Sequence, residues 1–101
     1  MTSGVDIRNG SVYLPAETVD RYFRGVDCVI LLIRDGALLI LPVRQAAAGG
    51  CLLKIRNAAG DRVASAPDLF QANGLLDWRR TNLPVVWSDA DQGLLASIST
   101  N

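Results

Sequence analysis

Trp78-Arg79-Arg80 holds the densest chemistry in the chain. An indole beside two guanidinium groups can stack on a nucleobase or grip a phosphate or carboxylate. The same tripeptide also suits a surface loop in which Trp78 packs over a helix end. Arg8, Lys54, Arg56 and Arg62 lie beside turn signals and are further candidate binding residues, diluted by Asp6 and Asp61. The chain has no histidine, which removes Ser-His-Asp and Cys-His catalysis by familiar routes and His-based metal sites. Asp89-Ala90-Asp91-Gln92-Gly93 has a superficial likeness to a calcium loop. Its glycine comes one place early, and Thr100 stands where the bidentate acid belongs, so a hairpin turn is expected.

Glu17 and Asp20 fall at i and i+3 and read as a solvated helix face, since paired acids do acid–base work only when desolvated together. Gly49-Gly50 and Gly60 are not followed by Lys-Ser/Thr and do not form a phosphate cradle. Cys28 and Cys51 sit in apolar segments without CxxC spacing and read as two buried thiols. No catalytic residue, metal or cofactor is assigned.

These residues must be positioned by a small scaffold. The chain has 101 residues, 50% of them hydrophobic, enough for a single domain with its own core. Ten cations balance ten acids, so no overall field draws in nucleic acid or an acidic membrane. No apolar run approaches the roughly 20 residues of a membrane span. The N-terminus MTSGVDIRNG lacks the basic and apolar regions of a signal peptide, which gives a cytoplasmic expectation.

The scaffold is organised around Asp27 to Val43. Asp35-Gly36 separates two apolar runs and predicts a tight hairpin of 28–33 with 37–41. Both runs are apolar at nearly every position, which predicts that both faces of the hairpin are covered. Pro42 should end it at or near an edge. Upstream, 5–7 and 12–14 are short strands around Asn9-Gly10, and Pro15 opens a helix with Val19, Tyr22 and Phe23 on one face and Gly25 as its stop. Downstream, 51–56 and 61–65 are strands around a turn. A short helix starts near Pro67, with Ser65 a candidate cap, and ends at Asn73-Gly74. A polar loop over 77–82 leads to a last hairpin of 85–87 and 94–98.

The order strand, turn, strand, Pro-led helix, Gly, hairpin thus occurs twice. Ile7-Arg8-Asn9 and Ile55-Arg56-Asn57 occupy matching places. We read an internal repeat: 1–43 and 51–98 are two ββαββ units, joined by a connector at 44–50. One unit alone would leave open sheet edges, whereas two can exchange strands and close.

The second unit, from Lys54 through Gly60-Asp61-Arg62-Val63 and Pro67 to Asn73-Gly74-Leu75, resembles the swapped-hairpin unit of AbrB-type proteins. Val12-Tyr13-Leu14-Pro15-Ala16-Glu17 is similar to that family's apolar-apolar-Pro-x-Glu step, and two units in one chain resemble the tandem MraZ proteins. The chain departs from the pattern at Ala64-Ser65-Ala66, at Asp61, which splits a Gly-Arg pair, and at Gly10-Ser11, where no arginine follows. The resemblance implies a mainly β fold: a small closed barrel of two intertwined ββαββ repeats, each with one short helix. It also implies DNA binding through Arg8, Lys54, Arg56 and Arg62 on the first hairpins.

Neutral charge, short loops and the lack of catalytic residue types favour a different function: a non-enzymatic accessory module that recognises another protein. AbrB-like DNA binding is the alternative, and a small enzyme the third. The expected partner is a protein, or else DNA, with no membrane; the chain is a monomer or a homodimer.

Overall fold

In the structure, a computed structural model that describes residues 4–43 and 50–98, Asp35 and Gly36 both take positive φ, 53° and 72°. This is the type I′ geometry whose twist matches flanking strands. The elements in chain order are β1 (Gly4–Arg8), β2 (Ser11–Leu14), α1 (Ala16–Tyr22), β3 (Cys28–Arg34), β4 (Ala37–Val43), β5 (Cys51–Leu52), β6 (Lys54–Ile55), β7 (Arg62–Ser65), α2 (Pro67–Ala72), β8 (Arg80–Pro84), β9 (Val86–Ser88) and β10 (Gly93–Ser97). The described residues form a mainly β fold with two short helices. No helix among the described residues is long and apolar enough to cross a membrane.

The strands form two antiparallel five-stranded sheets, ordered β6-β7-β2-β1-β8 and β5-β3-β4-β10-β9. Among the described residues no ladder closes either sheet on itself, so strand pairing does not form the expected closed barrel. The reason is local. The single strand expected over 51–56 is broken at Leu53, leaving β5 in one sheet and β6 in the other. β8 and β9 are split in the same way at Val85. Both break residues are buried, each at 3% exposure.

Each half contributes strands to both sheets. β2 pairs with β7 from Ser11↔Ser65 to Leu14↔Arg62, and β4 pairs with β10 from Ala37↔Ser97 to Ile40↔Leu94. The first turns also cross over. The N–H of Ala66, which precedes α2, donates to the Gly10 carbonyl at 2.9 Å. A side chain at Gly10 would collide with Pro67, and its φ of 74° suits glycine. At the other helix, the N–H of Ala16 donates to Asp61 Oδ1 at 2.7 Å. That satisfies one orphan donor of α1, whose own cap residue Pro15 supplies no side-chain bond.

α2 begins without a side-chain cap. Ser65, the expected cap, instead accepts a hydrogen bond from the Ser11 hydroxyl at 3.1 Å. Its end is a Schellman turn: Leu75 N–H donates to the Phe70 carbonyl at 2.7 Å, Gly74 N–H to Gln71 at 3.0 Å, and Gly74 takes a φ of 70°. Phe70 from α2 and Val19 and Phe23 from the first helical segment enter one core with Ile7, Leu14, Val29, Leu38 and Leu94. Tyr22 stacks on Trp87, with centroids 5.8 Å apart and planes 2° from parallel.

The β3–β4 hairpin runs from Arg34↔Ala37 to Cys28↔Val43, longer than expected at both strands. Pro42 lies inside β4 rather than ending it. It is tolerated because the ladder with β10 stops at Ile40, leaving the side where its N–H would point unpaired. The expectation that both hairpin faces are covered is corrected. Val29, Leu31, Leu38 and Ile40 face the core, while Leu32 is 38% exposed and Ile30 and Leu41 are half-exposed on the other side. The apolar runs therefore describe one buried face and one apolar face that is partly exposed, with Leu39 at its centre covered by its neighbours at 1% exposure.

Candidate binding surface

Directly opposed residues in an antiparallel ladder point to the same face. Ile7, Val12 and Ala64 oppose one another across β1, β2 and β7 and are buried, so this face of the first sheet is the core side. The next row, Asp6, Tyr13, Val63 and Lys54, runs across β1, β2, β7 and β6 on the outside. Arg8, Ser11 and Ser65 follow it on that face.

On this outer face two guanidinium groups meet one ring. Arg8 Cζ lies 4.0 Å from the Tyr13 centroid, and Arg56 Cζ lies 4.7 Å from it. Arg8 comes from the first half, and Arg56 from the turn after β6 in the second. The pleat brings them together because β2 and β7 pair. Among the described residues neither arginine has a carboxylate within ion-pair distance. Asp6, which could have neutralised Arg8, instead accepts the backbone N–H of Asn82 at 2.7 Å. Asp61 is also engaged. The Asn57 side chain, then the Ala16 N–H and the nearby Arg56 charge, hold its carboxyl below the usual aspartate range.

The other sequence-predicted residues are dispersed. Lys54 is exposed on the outer face, in the same cross-strand row as Tyr13. Arg62 has a structural role: its guanidinium donates to the Leu53 carbonyl at 3.2 Å and lies 3.5 Å from Asp27, bracing the break between β5 and β6. Trp78 is half-buried against the core, its N–H bonded to the Leu75 carbonyl at 3.0 Å just past α2. This is the packing expected of a tryptophan over a helix end. Arg80 lies 5.5 Å above its ring, and Arg79 is exposed. Sequence reasoning missed Tyr13 as a contact residue. Its signal is an aromatic residue alternating with Val12 and Leu14, which places its ring outside whenever theirs are inside.

The outer face of the second sheet has opposite character. Leu52 on β5, Cys28, Ile30 and Leu32 on β3, Ala37, Leu39, Leu41 and Val43 on β4, Leu95 and Ser97 on β10 and Val86 on β9 share it by register. Arg34 is the one charged strand residue in that register among the described ones. It sits at the rim, paired with Asp91 at 2.7 Å. Asp91 also accepts from the Ser88 hydroxyl at 2.9 Å, so the acidic 89–93 segment is a braced turn. Cys28 opposes Leu52 on this face, whereas Cys51 opposes Val29 and faces the core side. The two cysteines are free and half-buried, and desolvation followed by the neighbouring Cys28 raises the Cys51 thiol pKa.

No family model, curated protein or solved structure matches this chain.

Proposed function

We propose that the protein is a non-enzymatic module that recognises another protein through the Arg8–Tyr13–Arg56 group. The observation that carries this reading is the single ring approached by two arginines from different halves of the chain. Tyrosine and arginine concentrate at interface hot spots, because the ring adds area at little entropic cost and the guanidinium fork grips a carboxylate bidentately. The partner segment is therefore one that presents carboxylates at the centre of the contact. Capture from an extract of the native source, with wild type beside Arg8→Ala/Arg56→Ala, tests it. A partner held by the wild type and lost at least ~10-fold with the double variant is expected. Identical recovery by both would contradict the assignment.

AbrB-like DNA binding is the second reading. It is favoured by the cations of both first hairpins, Arg8, Lys54 and Arg56, gathered on one sheet face. Phosphate contacts demand a steep loss of affinity with salt. An electrophoretic shift of random duplex at two salt concentrations separates the readings, and no shift at low salt removes this one.

Both readings take the chain as a tandem swapped-hairpin of the AbrB type, with the sheets continuing into each other at Leu53 and Val85 as one closed barrel. In support, the pairing scheme is unchanged when the halves are exchanged. β1–β2 becomes β6–β7, β1–β8 becomes β5–β3, β3–β4 becomes β9–β10, and β2–β7 and β4–β10 map onto themselves. The crossed contacts of each first turn with the other half's helix obey the same exchange.

A further inference from the structure

Asp6-Ile7-Arg8-Asn9 and Lys54-Ile55-Arg56-Asn57 are the same tetrapeptide except at the first residue, an acid in one half of the chain and a cation in the other. The fold makes that difference count. Through Asp6↔Tyr13, Tyr13↔Val63 and Val63↔Lys54 the two residues become the ends of one cross-strand row, on the face that carries Arg8 and Arg56. The row runs from negative at β1, through the ring that both arginines approach, to positive at β6. We propose that it reads an acidic peptide segment in one direction, with one carboxylate at the Arg8–Tyr13–Arg56 group and a second at Lys54, an assignment that rests on the protein-recognition reading above.

Three observations select this partner. The first is charge. Among the described residues Lys54, like Arg8 and Arg56, has no carboxylate within ion-pair distance. Asp61, near Arg56, is engaged by the Ala16 N–H and the Asn57 side chain. The second is spacing. Neighbouring strands lie about 4.8 Å apart, so Tyr13 and Lys54, two strands apart in the row, are separated by about 10 Å. Two carboxylates at that distance along one edge of a segment match it, and half-buried Val63 gives the residues between them an apolar seat. The third is polarity. Asp6 stands one strand beyond Tyr13 on the other side, where its charge repels a carboxylate, so the second acid must extend toward β6. The same charge opposes a continuous run of phosphates, so a peptide fits the row better than nucleic acid does.

Rigid rulers test the proposal on the whole, isotope-labelled chain. The probes are end-capped oligoproline peptides carrying two glutamates. Polyproline II has three residues per turn and rises about 3.1 Å per residue, so glutamates at i and i+3 share an edge about 9 Å apart, and at i and i+6 about 19 Å. Amide shifts at low salt, where exposed pairs are least screened, give each dissociation constant. The short-spaced ruler is expected to bind wild type about 2- to 5-fold tighter than the long-spaced one, the worth of one exposed ion pair. Lys54→Ala should equalise them. Asp6→Asn, whose amide oxygen can still accept the Asn82 N–H, should tighten the short ruler. Equal binding of the two rulers by wild type, a preference that survives Lys54→Ala, or an Asp6→Asn protein that binds no tighter would overturn the proposal, as would a wild type that binds neither. Displacement of the short ruler by random duplex at physiological salt would assign the face to nucleic acid and overturn it too. Failure of the protein-recognition reading itself has a different signature: ruler binding unchanged in Arg8→Ala/Arg56→Ala.

Discussion

Asp61 is the residue whose role depends most on its neighbours in space. It stands in a turn of the second half yet holds the first N–H of α1 at 2.7 Å. Its carboxyl is depressed, so its stabilising contribution is fully present above the ordinary aspartate value of 3.8 and is lost as pH falls through the lower folded value. Asp61→Ala should lower the melting temperature at pH 7. The gap to wild type should narrow as pH drops below 3.8. Thermal melts at stepped pH check this, and a gap that stays constant to the lowest pH would show that the charge is irrelevant. Cys51 shifts the other way. Its thiol stays protonated beyond the usual 9.0, so at pH 8 it should alkylate more slowly than an unstructured cysteine peptide. None of this was legible locally. In the sequence, Asp61 is merely an acid that interrupts a Gly-Arg pair, and Tyr13 gives no hint of Arg56 because the two meet only after β2 finds β7.

At the scale of elements, the legible features are those fixed by neighbours in the chain. Asp35-Gly36 specifies its own turn, Pro67 opens α2, and Gly74 closes it through the Schellman bonds to Phe70 and Gln71. Gly36→Ala should cost about 1–2 kcal/mol, because a β-carbon opposes the left-handed backbone there. Phe70→Ala should cost about 3–5 kcal/mol, since the ring is fully buried and leaves a cavity. Urea unfolding measures both, and a loss below 1 kcal/mol at Phe70 would mean that α2 is not docked as described. The breaks at Leu53 and Val85 were not legible. Each is an apolar residue inside an apolar run, and what bends the chain there is the different sheet that each flank must join. The partly exposed outer face of the β3–β4 hairpin was misread for a related reason. A strand that is apolar at every position looks buried on both sides whether its second face meets protein or water.

For the whole molecule, the asymmetry between the two outer faces carries the functional account. One face presents Arg8, Tyr13 and Arg56, and the other an apolar sheet whose strand charge, Arg34, is paired with Asp91 at the rim. Both exist only because the halves interleave: β7 must lie beside β2 to bring Arg56 to Tyr13, and β10 beside β4 to widen the apolar face. Native-state hydrogen exchange tests that interleaving most directly. The amides of the β2–β7 and β4–β10 ladders should share one highest opening free energy and exchange only when the entire chain unfolds. If residues 4–43 keep their protection after 51–98 have exchanged, or the reverse, the halves fold as separate units and the account is wrong.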